Sequence, residues 1–91
     1  MNPAIKRWCV KICRKYNLGS FYLPLKDTYM IHFKGKALSG FNSQVFYQIP
    51  KDAREKELIG ILKRGLMLNF NENQRQNLYT KRRLGQLIYE S

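Results

Sequence analysis

Apolar residues recur along this chain with two different periods, and the change of period divides it into elements. Over residues 3–17, Ile5, Trp8, Cys9, Ile12, Cys13 and Tyr16 share one side of a helical projection. Arg7, Lys11, Arg14 and Lys15 share the opposite side, and only Val10 breaks the separation. Pro3 suits a first helical turn and Gly19 suits the end, so the segment is predicted to be an amphipathic helix. Residues 21–25 predict a strand, kept short or at an edge by Pro24, which has no backbone donor. Lys26 and Asp27 then turn the chain.

Residues 28–34 alternate with period two. Tyr29, Ile31 and Phe33 fall on one face, and Met30, His32 and Lys34 on the other. Residues 35–43 hold two Gly and two Ser and read as a loop carrying Lys36 and Phe41. A further strand is expected at 44–49, with Val45, Tyr47 and Ile49 on one face. After Pro50, the spacing of Asp52 and Glu55 suits the start of a helix. That helix is predicted over 53–64, burying Leu58, Ile61 and Leu62, with Gly65 as its stop. Gly60 inside it would mark close packing. Residues 66–70 read as a short strand, and 73–89 as a helix that Gly85 could split.

This order predicts an α+β fold, α-β-β-β-α. A three-stranded antiparallel sheet would be covered on one face by helices, with a C-terminal helix or extended segment added. The expected core is Ile5, Trp8, Ile12, Tyr16, Ile31, Phe33, Val45, Ile49, Leu58, Ile61 and Leu62. One small domain spans 1–91, with its core in 3–65 and the added element in 66–91.

Composition narrows the class. Hydrophobic residues make up 44% of the chain and twelve residues are Phe, Trp or Tyr, too many for a disordered basic tail. No apolar run is long enough to span a membrane, and Lys and Arg interrupt every apolar stretch near the start, unlike a signal peptide. Cys9 and Cys13, one helical turn apart, are poorly placed for a mutual disulfide and read as small buried apolar residues. With His32 as the single histidine, no metal set or other cofactor is signalled. Reduced thiols point to the cytoplasm.

Charge changes the picture most. Seventeen basic residues face six acids, a net charge of +11, and residues 1–51 contain a single acid, Asp27. That excess is larger than solubility requires and suits a polyanionic partner. Three constellations follow. Arg7, Lys11 and Arg14 form a helix stripe roughly 10 Å long, flanked by Lys15. Lys34 and Lys36 flank Gly35 beside Phe41, so that loop would combine phosphate contact with base stacking. Lys81, Arg82 and Arg83 would form a second clamp or arm.

These residues predict a non-enzymatic protein that grips RNA or DNA, or a nucleoprotein complex, mainly through phosphates, as monomer or homodimer. The alternative is an accessory or inhibitor protein of phage or mobile-element type. It would bind an acidic protein or a nucleoprotein enzyme, with Tyr22, Phe41, Phe46 and Tyr79 as candidate anchors. Ranked lower is a ribonuclease toxin using His32 as acid or base.

Over residues 3–65 the order of elements resembles that of double-stranded-RNA-binding domains, which would imply RNA binding. It is also similar to HicA-type toxins, which would imply RNA cleavage. In the first case the last helix should open on a run of lysines. Here Lys51, Arg54 and Lys56 are interleaved with Asp52 and Glu55. In the second, a Gly-Ser-type turn should precede the histidine, whereas Tyr29, Met30 and Ile31 precede His32.

Overall fold

In a computed structural model, residues 2–36 and 42–89 are described, and Phe41 with the rest of 37–41 lies outside them. The expected α+β architecture is present, with a fourth strand added to the sheet. Helix α1 (Pro3–Lys15) starts where the Asn2 side chain accepts a hydrogen bond from the Ala4 N–H at 2.9 Å, with Pro3 in the first turn. It ends earlier than expected. Asn17 takes the left-handed conformation (φ 56°), leaving Gly19 free to open strand β1 (Gly19–Leu23). Pro24 starts a single 3-10 turn (Pro24–Lys26), and Asp27, also at positive φ, accepts a hydrogen bond from the Tyr22 hydroxyl.

Strands β2 (Thr28–Lys36) and β3 (Asn42–Gln48) form a longer hairpin than the pattern suggested, because the ladder continues through Gly35↔Ser43 and Lys36↔Asn42. All pairings in the sheet β1-β2-β3-β4 are antiparallel, and β1 is an edge strand, as Pro24 implied. Helix α2 (Glu55–Leu66) follows. Asp52 is too early to cap it: Arg54 holds the cap position without a side-chain hydrogen bond.

Residues 66–70 are not a strand. Leu66 ends α2, and the chain then turns through Leu68 at positive φ, with the Asn69 N–H donating to the Arg64 carbonyl at 2.8 Å. This turn returns Phe70 to the core, stacked on Tyr47 at 5.0 Å and edge-on to Phe33 at 5.8 Å. Residues 73–89 are not one helix either. Asn71 and Gln74 make a reciprocal capping box around the short α3 (Glu72–Arg75), β4 (Leu78–Tyr79) joins the sheet, and α4 (Lys81–Tyr89) runs uninterrupted through Gly85.

The molecule therefore has three layers. Helices α1 and α2 pack on the face that carries Ile31, Phe33, Tyr47 and Ile49, where Ile5, Cys9, Ile12, Cys13, Leu58, Ile61 and Leu62 complete the main core. Tyr16, expected there, is partly exposed, while Tyr47, Ala53 and Phe70 join it. Close approach in this layer depends on Gly65, not Gly60. A Cβ at Gly65 would lie 2.2 Å from the Phe33 ring, whereas at Gly60 it would meet nothing within 4 Å. On the opposite face Met30 is fully buried, and α4 packs there against β3 and β4 with Leu84 inward. Among the described residues, no helix is long and apolar enough to cross a membrane.

Candidate nucleic-acid interface

Because Ile5, Cys9, Ile12 and Cys13 are held against the sheet, helical geometry turns Arg7, Lys11 and Arg14 directly away from it. All three are exposed, and none of their side chains makes a hydrogen bond, ion pair or ring contact among the described residues. The helix holds five cations and no carboxylate, so their fields add. Lys6 extends the set on the β1 side. Its Nζ lies 4.4 Å from the centre of the Tyr22 ring, a cation–π contact. Lys6, Arg7, Lys11 and Arg14 surround the half-exposed Val10 in a shallow depression.

On the other side of α1, the helix pair encloses a groove of about 430 Å³ lined by Lys11, Lys15, Tyr16, Glu55, Ile59 and Lys63. Lys63 was legible in the sequence only as a cation suited to the end of a helix. Packing of α2 beside α1 adds it to the α1 set. The signal for this lies in which α2 positions are apolar, but that pattern cannot say which neighbour the remaining positions face.

Of the other sequence candidates, Lys81, Arg82 and Arg83 lie apart from this cluster. Lys34 and Lys36 lie on the β2 backbone beyond the last β1 pair, Gly19↔His32. This is the end of the sheet to which α1 leads through Leu18. Lys81, Arg82 and Arg83 start α4, across the sheet from α1. Arg83 is engaged there: its Nη1 donates to the Leu78 carbonyl at 2.9 Å, and its guanidinium lies 4.8 Å from the Tyr79 ring centre.

The aromatic residues with anchor potential are half-buried and occupied. Phe46 stacks on His32 at 4.6 Å and meets Phe21 edge-on at 6.0 Å. Tyr22 packs on Tyr29 at 5.3 Å, and the Tyr79 hydroxyl donates to Gln48 Oε1 at 2.9 Å.

His32 Nε2 is buried and has no hydrogen-bond partner among the described residues. Both cysteines are free and buried. Burial, reinforced by the neighbouring Cys13, pushes the Cys9 thiol up to about 12, and burial also raises Cys13 against an opposing hydrogen bond with Ser20. These are unreactive packing thiols. Among the described residues, no group of three or more His, Cys, Asp or Glu side chains is placed to hold a metal ion.

No family model matches the chain, and neither the curated proteins nor the solved structures contain a match to it.

Proposed function

We propose that this protein binds nucleic acid through its phosphates, with the outer face of α1 as the contact surface and no catalytic step. One observation carries the reading: Arg7, Lys11 and Arg14 stand exposed in a row with no carboxylate among the helix residues. Lys6, Lys15 and Lys63 widen the field around that row. A ribonuclease role for His32 has less support, since its Nε2 is buried in the fold. The cytoplasm is the compartment that suits two free thiols.

A mobility-shift titration at stepped salt concentrations tests this reading. Retardation should weaken steeply with salt, by about 0.9 in the logarithmic slope for each duplex phosphate contacted. Arg7→Glu combined with Lys11→Glu should abolish it while leaving the circular dichroism spectrum unchanged. Absence of retardation at about 50 mM salt removes the reading. A protein partner is the second reading, favoured by Leu25 and Tyr89, which are 78% and 90% exposed. Capture of a partner after nuclease treatment, by a chain that fails to shift nucleic acid, would select it.

A further inference from the structure

We infer that the ligand is double-stranded DNA, with α1 seated in its major groove. This rests on the phosphate-binding reading above and goes further by naming the form of the polymer. Single-strand binding without sequence preference needs aromatic faces open to bases. Here helices cover both faces of the sheet. His32 stacks on Phe46 and Tyr47 on Phe70 within the fold, the exposed Tyr16 ring has Lys15 Nζ 5.8 Å from its centre, and the exposed Tyr89 ends α4 across the sheet from α1.

What the molecule offers is a convex helix with one row of charge and a further lysine on each flank. Arg7, Lys11 and Arg14 form the ridge. Lys6 lies on the flank above β1, and Lys15 lies on the flank toward α2, where Lys63 stands across a groove in which three lysines outnumber the one carboxylate, Glu55. A helix with its side chains is about 10–12 Å across and matches the roughly 12 Å major groove of B-form DNA. The ridge would then meet base edges, and arginine and lysine there suit guanine acceptors. The flanking lysines would meet the two phosphate backbones, one of them running along the α1–α2 groove. Val10 beside the ridge supplies an apolar contact of the kind a thymine methyl takes. The A-form major groove of duplex RNA is too deep and narrow for side chains to read.

Fluorescence anisotropy on the full chain tests this with three labelled probes at equal salt. They are a DNA duplex of about two helical turns, its single strand, and the RNA duplex of the same sequence. The DNA duplex should bind about tenfold tighter than either. Addition of protein should displace methyl green, a major-groove dye, from the duplex and leave netropsin in the minor groove. Lys63→Ala should lower the salt slope for duplex DNA by about one unit. Equal or tighter binding of the single strand or the RNA duplex overturns the inference and leaves the phosphate-binding reading standing. Displacement of netropsin with retention of methyl green does the same. Failure to bind all three probes overturns both.

Discussion

The two faces of the sheet are built to different depths. One face is covered by α1 and α2, 13 and 12 residues long, which bury seven large or medium apolar side chains against Ile31, Phe33, Tyr47 and Ile49. The other is covered by α4, nine residues long, in which Leu84 is the buried residue. The thin layer also contains His32 Nε2, buried without a hydrogen-bond partner among the described residues, and it leaves Ile88 and Tyr89 exposed. The difference teaches where a binding surface can be mounted. A row of like charges on a helix repels itself and favours fraying. The α1 row is tolerated because its opposite side is anchored in the deeper core, which also fixes the spacing of the charges.

Truncating one leucine in each layer should show the largest contrast. Leu58→Ala, at a fully buried position facing the main core, should cost about 3–5 kcal/mol in urea unfolding. Leu84→Ala should cost nearer to about 2 kcal/mol, since the thin layer can relax around the gap. Equal costs would break the comparison.

Glycine replacements sharpen it at smaller scale. Gly65→Ala drives a methyl group into the Phe33 ring and should destabilise by about 1–3 kcal/mol. Gly85→Ala in α4 meets open space and should stabilise by up to about 1 kcal/mol through helix propensity. Thermal midpoints moving in opposite directions would confirm the difference in packing. A loss at Gly85 as large as at Gly65 would show that α4 is as tightly packed as α2.

Alkaline pH should act on the deep face through its buried thiol and phenol. Cys9 is raised to about 12 by burial and by Cys13, and Tyr47 is raised by burial against an opposing hydrogen bond with Asn77. Groups whose folded values are raised favour their neutral forms in the native state. Their contribution is complete below the unfolded values and is lost as pH rises toward the folded ones. For Cys9 the window runs from the ordinary thiol value of 9.0 to about 12. Stability measured across that range should fall, and Cys9→Ala should flatten part of the slope. A Cys9→Ala slope identical to that of the parent chain would remove the thiol from this account. At pH 8 both thiols should resist alkylation until the chain is unfolded.

Much of the fold was legible in the residues themselves. The 3.6-residue period with an all-cationic outer side determined α1, because no other conformation separates Ile5, Cys9, Ile12 and Cys13 so cleanly from Arg7, Lys11 and Arg14. Strict alternation determined β2 and β3, and Pro24 placed β1 at an edge. The α1 stripe was equally legible, since charge and period together select one side of one helix. The C-terminal third was not. Its turn at Leu68 and the capping box at Asn71 are single-turn features closed by neighbours three to five residues away, and the two-residue β4 depends on a partner distant in sequence, with the Gln48 N–H donating to the Asn77 carbonyl at 2.8 Å. Local periodicity carries no information about such partners. The tertiary structure alone decided that Lys63 stands beside Lys11 and Lys15 while Lys81, Arg82 and Arg83 lie across the sheet. Which cations share a surface depends on how the layers stack, and long-range burial sets that order.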